Sequence, residues 1–108
     1  MLIKQYVKSR QVAKVTFELA ENELPEGAGA ESVVLVGEFN DWYPAANPMK
    51  YSKKKKAFRV TLELEPGQSY QFRYFVDEQH WYNDGQADAY LPTGTGQDNC
   101  VVVAPAAS

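Results

Sequence analysis

The 108-residue chain has a single cysteine, Cys100, and a single histidine, His80. One cysteine excludes an intramolecular disulfide, and with one histidine no Cys/His set can hold a structural zinc, so no metal and no cofactor is expected. No apolar run approaches the ~20 residues that cross a bilayer as a helix. The N-terminal "MLIKQYVKSR" interrupts its apolar residues with Lys4, Gln5 and Lys8. It therefore lacks the continuous apolar core of a signal peptide, and a cytoplasmic protein is expected. No stretch of ten residues carries apolar positions at helical spacing. The "GTG" at Gly94 to Gly96 is followed by no Gly-Lys-Ser/Thr and by no expected helix, so it does not cradle phosphate. His80 has no serine or cysteine nucleophile motif beside it and reads as a surface residue.

Charge excludes a further class. Eleven Lys plus Arg against fourteen Asp plus Glu leave a net −3, which argues against a nucleic-acid binder that works by neutralising phosphates. The concentrated positive charge is Lys53 to Lys56, read as a solvated hairpin loop, with an anion or membrane patch as the lesser reading. No membrane partner is expected.

What is abundant is aromatic: 7 Tyr, 5 Phe and 2 Trp, 13% of the chain. Each ring needs on the order of 150–250 Å² of cover, more than one small core supplies to all of them, so some rings are expected at the surface. The apolar period is two almost throughout. Val15, Phe17 and Leu19 alternate with polar neighbours, as do Phe58, Val60, Leu62 and Leu64. Tyr70, Phe72, Tyr74 and Val76 take one face of a third strand, with Gln71, Arg73, Phe75 and Asp77 on the other. "SVVLVGE" and "NCVVVA" read as central strands, "LIKQYV" as an edge strand, and Cys100 as a small apolar filler. In "EPGQ", Pro66 and Gly67 suit the two corners of a type II turn, expected to join the flanking strands as a hairpin. Short strands with turns at this spacing indicate an all-β sandwich of two antiparallel sheets.

Three features stand outside the core pattern. Trp42 follows the turn "EFND", in which Asn40 and Asp41 are turn formers. Trp81 sits among the polar residues of "DEQHWYND", in a short excursion or hairpin. Arg73 and Gln71 share their strand face with Phe75, an apolar residue where alternation calls for a polar one. Two of these have a plain structural reading too, Trp42 as a plug under its loop and Phe75 as cover for a second apolar layer or a dimer contact, whereas the polar company of Trp81 favours exposure.

The ordered set "VVLVGEFNDW", "MKYSKKKKAFRVTLELEPGQSYQFRYFVDEQHWYND" and "GQDNCVVVA" resembles the early-set, immunoglobulin-like carbohydrate-binding modules of glycogen branching enzymes, isoamylases and the β subunit of AMP-activated protein kinase. The similarity covers about residues 32–103, within a chain read as one domain over 1–108 with strands of residues 1–20 packed on it. It implies non-catalytic binding of α-glucans such as glycogen or starch. Trp42 and Trp81 match the sugar-stacking tryptophans, Arg73 a basic position filled by lysine in the family, and Asn99 a terminal asparagine that bonds sugar hydroxyls. Gln71 and Asp84 are further candidates for the sugar rim. A leucine that some of these modules project from the loop before the last strand is replaced by Thr95.

Two other classes stand beside this one. The same sandwich as a protein-docking or homodimerisation module, regulating a glycogen-related enzyme, also explains exposed aromatics. A small glycosidase would need two acids at a set separation across a cleft. Asp77, Glu78, Asp84 and Asp88 sit in sandwich loops that suggest no cleft, so no enzyme is expected.

Overall fold

The computed structural model describes residues 1–21, 32–43, 46–77, 80–84, 86–92 and 98–106. Thr95 and the rest of the "TGTGQ" loop, Pro44, Glu78 and most of "ENELPEGAGAE" lie outside them. Ten strands lie among the described residues: β1 (Leu2–Val7), β2 (Val12–Ala20), β3 (Val33–Gly37), β4 (Asn47–Pro48), β5 (Lys50–Ser52), β6 (Ala57–Leu64), β7 (Ser69–Val76), β8 (His80–Tyr82), β9 (Ala89–Pro92) and β10 (Asp98–Val103). One sheet has the order β1-β2-β6-β5. The other has the order β4-β3-β7-β10-β9, with β8 pairing β7 beside it. All the pairings are antiparallel, so the expected two-sheet sandwich is present.

The period-two pattern dictates what is inside. Val15, Phe17 and Leu19 of β2 face Phe72, Tyr74 and Val76 of β7 across the sandwich, together with Val33, Leu35, Cys100 and Val102. Phe17 meets Phe72 edge-on with ring centroids 5.1 Å apart, and Phe72 meets Tyr74 at 5.7 Å. Alternation requires the residues between them to point the other way. β7 therefore sends Gln71, Arg73 and Phe75 to the outer face of the larger sheet.

The turn "EPGQ" is formed, with Gly67 at φ 78° and Gln68 N–H donating to the Glu65 carbonyl at 3.3 Å. It does not close a hairpin: β6 pairs with β2 and β5, whereas β7 pairs with β3, β10 and β8. A tight turn fixes the reversal of the chain but not the sheet its second arm joins. Here Ala104 N–H bonds the Gln68 carbonyl at 2.8 Å and Gly67 N–H bonds the Ala104 carbonyl at 3.1 Å, which ties the turn to the end of β10.

Cys100 is the apolar filler its sequence setting suggests. Burial, the largest influence, pushes its thiol up to about 11 from 9.0. An acid whose pKa is raised by folding keeps its proton in the native state after the unfolded chain has lost it. The unfolded form then binds fewer protons, so the thiol contributes stability below pH 9 that is lost between about pH 9 and 11. Urea midpoints at about pH 8 and pH 10.5 are expected to fall further for the wild type than for Cys100→Ser; equal falls would remove the thiol as the cause.

Candidate functional site

The larger sheet's outer face is built by register. Phe75 lies between Val34 of β3 and Trp81 of β8, and Arg73 lies opposite Val36. Gln71 lies opposite Val101, and Asn99 opposite Leu91. Asn99 Nδ2 donates to Gln71 Oε1 at 2.9 Å, which holds these two side chains together across β7 and β10. One strand alternation along β7, about 6.6 Å, separates Gln71 from Arg73 and Arg73 from Phe75. Trp81, Phe75, Arg73, Gln71 and Asn99 thus form one continuous surface.

Trp81 is 43% exposed, and its indole stacks on Phe75 with centroids 4.5 Å apart and planes 27° from parallel. A ring stacked against an exposed one restricts its rotamers, so Trp81 is held in place before any ligand arrives. Phe75, the apolar residue at a polar position, is the support for Trp81. Val36 and Val101 belong to this outer face and yet are almost fully buried, so the layer of side chains over them is continuous.

Trp42 is half-buried and lies just past a short 3-10 turn, Glu38–Asn40, that follows β3 and is capped by Asp41. Asn40 explains the turn. Its Oδ1 accepts Gly37 N–H at 3.0 Å, and its Nδ2 donates to the Leu35 carbonyl at 3.0 Å and to Asn47 Oδ1 at 2.7 Å. Glu38 Oε1 accepts Gln71 N–H at 2.6 Å, which fastens the turn to β7. Asp41 and Trp42 then both adopt left-handed backbone, φ 56° and 59°. Asp tolerates this region; for a bulky indole it costs on the order of 1–2 kcal/mol. The bond from Trp42 N–H to the Gly37 carbonyl, 2.9 Å, holds it there.

Asp84 is not on this surface. Its side chain is fully buried, with Tyr74 Oη donating to its Oδ2 at 2.7 Å, Gln86 N–H donating to its Oδ1 at 2.7 Å, and the Met1 amino group also bonding Oδ2. Its backbone N–H points to Cys100 Sγ at 3.1 Å, and its carbonyl accepts from Tyr90 Oη. A carboxylate enclosed and bonded in this way cannot accept from a sugar hydroxyl at the surface. It pins β7, β9 and β10 together instead. Its polar sequence company, Asn83 and Asp84 after Tyr82, gave no sign of burial.

Two contributors were not apparent in the sequence. Leu91 of β9, 44% exposed, lies beside Asn99 and extends the surface by one strand. Glu38 is the other, through its bond to Gln71.

A family model described as the glycogen recognition site of AMP-activated protein kinase matches residues 26–107. The chain belongs to this family. A carbohydrate-binding module of this kind is a non-catalytic domain, and glycogen is the ligand class its description names. Comparison with curated proteins returns no match. In this glycogen-recognition module, among the described residues, no helix is long and apolar enough to cross a membrane.

Proposed function

We propose that the module binds α-glucan chains on the outer face of its larger sheet, with Trp81 as the stacking platform and Arg73, Gln71 and Asn99 bonding the sugar hydroxyls. The single observation that carries this reading is the Trp81–Phe75 stack beside Arg73 on a family member's strand β7. A pyranose ring has an apolar C–H face that packs on an indole, and a rim of hydroxyls that needs donors and acceptors within reach. The Asn99–Gln71 bond uses one amide group of each and leaves the Asn99 oxygen and the Gln71 nitrogen for that rim. Arg73 presents a planar fork where a lysine would offer a point charge, which favours paired contacts to adjacent hydroxyls. Trp42, half-buried in the turn after β3 with a left-handed backbone, is the second aromatic contact in this reading, its strained backbone kept for position. Residues 1–108 act as one module in this reading, in the cytoplasm where glycogen is stored. Asp84 takes no part.

A shallow surface buries little of its ligand, so an affinity of roughly 10 µM to 1 mM is expected. Native electrophoresis through gels containing glycogen tests the proposal: the module is expected to be retarded relative to gels without glycogen. Migration unchanged by glycogen, in a gel that retards a known binder, would overturn it.

A second reading has its own observation. Tyr90, Leu91 and Val103 are exposed on β9 and β10 at the edge of the same sheet, a position at which a glycogen-metabolising enzyme or a second copy would dock. Light scattering after size exclusion separates the two readings, since self-association predicts a dimer mass without any glucan present.

A further inference from the structure

We propose that the edge of the smaller sheet carries a second site, separate from the glucan face, that binds a phosphate group, free or carried on a small molecule. Between β3 and β6 the chain changes sheets. β4 pairs with β3 in the larger sheet, Met49 N–H bonds the Val33 carbonyl at 2.8 Å, and β5 then pairs with β6 in the smaller one. The β5–β6 register starts at Lys50 opposite Arg59, so β6 beyond Arg59 has no β5 partner. The space left open is a groove of about 380 Å³ lined by Pro48, Lys50, Ser52, Arg59, Val60 and Thr61. That is the size of a small-molecule site.

Its chemistry is cationic, and the charges are placed at a cost to the fold. Lys50 and Arg59 stand directly opposite each other, an arrangement of like charges that destabilises a strand pair. Arg59 Nε is buried and makes no hydrogen bond among the described residues. It forms an ion pair with Glu18, whose Oε2 is 3.4 Å away on the β2 side. The adjoining turn adds Lys53 to Lys56, all exposed and without an ion pair among the described residues, and Lys56 takes a left-handed φ of 52°. The other acid nearby, Glu21, accepts from Tyr51 Oη at 3.1 Å.

Six cations thus crowd one edge of a chain whose net charge is −3. A dianion seated between Lys50 and the exposed part of the Arg59 guanidinium would relieve their repulsion. Ser52 and Thr61 supply hydroxyl donors, and Pro48 and Val60 an apolar wall for a carbon skeleton. The lysine turn then raises the local concentration of anions and speeds their arrival. A flat anionic bilayer would touch the lysine tip alone and leave the groove empty, so the groove favours a small phosphorylated molecule.

Amide shifts in ¹⁵N-labelled protein titrated with inorganic phosphate, glucose 6-phosphate and glucose test this. Lys50, Arg59 and Thr61 are expected to move saturably with both phosphates and not with glucose. Equal response to the two assigns free phosphate as the ligand, and a stronger response to glucose 6-phosphate assigns a phosphate carried on sugar. Lys50→Gln, on an exposed position, is expected to weaken binding about fivefold, as removal of one of two charged contacts does, and Arg59→Lys to weaken it while keeping the charge. Glycogen retardation should be unchanged in both variants. Shifts reproduced by sodium chloride at equal ionic strength, shifts confined to Lys53 to Lys56, or equal affinity in Lys50→Gln would overturn the proposal.

Discussion

Replacing Trp81 by alanine is expected to lower glycogen affinity about thirtyfold, the ~2 kcal/mol typical of a central aromatic contact, while leaving the fold in place. The indole is exposed and lies outside the core cluster, so its loss opens no cavity. It does uncover Phe75, which alone offers a smaller ring on the neighbouring strand. Trp81→Phe should recover part of the loss, because a flat ring still stacks on Phe75, whereas Trp81→Leu should recover little. Gel retardation measured over a range of glycogen concentrations gives the ratio, and the urea midpoint checks the fold. An alanine variant that binds as the wild type does would move the site off this face.

Gly37→Ala is expected to destabilise the protein by about 3 kcal/mol or more, at the upper end of what overpacking costs. The reason is steric and not a matter of backbone angle, since Gly37 has an extended φ of −174° that any residue can adopt. A Cβ built there would lie 2.6 Å from the Gln71 carbonyl oxygen, 2.8 Å from Phe39 Cζ and 2.9 Å from Phe72 Cβ. The nearest of these is backbone and cannot swing away. Relief requires β3 to draw back from β7, which breaks the pairing that carries Arg73 and Phe75. The variant should therefore lose glycogen binding together with stability, and a lowered urea midpoint with unchanged binding would contradict this account. The G-x-F-N order follows from the same packing: glycine for the close approach, Phe39 to cover Phe17 at 5.5 Å, and Asn40 to satisfy three backbone and side-chain groups at once.

The strands with alternating sequence were legible because burial of one face and solvation of the other leaves a record at every second residue. β2, β6 and β7 are of this kind, β3 and β10 show as continuous apolar runs, and the two-sheet architecture followed from them. β9 was not legible. All four of its residues are exposed, so no alternation marks it, and Pro92 at its end reads as loop. The partner of β7 was equally hidden, because the sequence around Pro66 and Gly67 specifies a turn and says nothing about which sheet follows.

Trp81, Arg73 and Gln71 stand out of step with the core pattern and Asn99 is singled out by the family resemblance; the fold brings the four to one face. Asp84 was misread because a carboxylate in a polar segment is ordinarily solvated. The donors that enclose it come from distant elements, Tyr74 and Cys100 among them. Phe75 was noticed as an anomaly, but its role depends on the register of β8, which the sequence does not state.

Strand β7 divides its work by parity, with even-numbered side chains holding the interior and odd-numbered ones on the outer face of the sheet. A slip of one residue against β3 would exchange the two sets, sending the guanidinium of Arg73 inward and Phe72 into water. The charge that suits a sugar therefore also guards the alignment of the sheet. An Arg73 replaced by leucine would forfeit that guard, leaving a strand apolar at four successive positions from Phe72 to Phe75 and nearly indifferent to which side it turns inward.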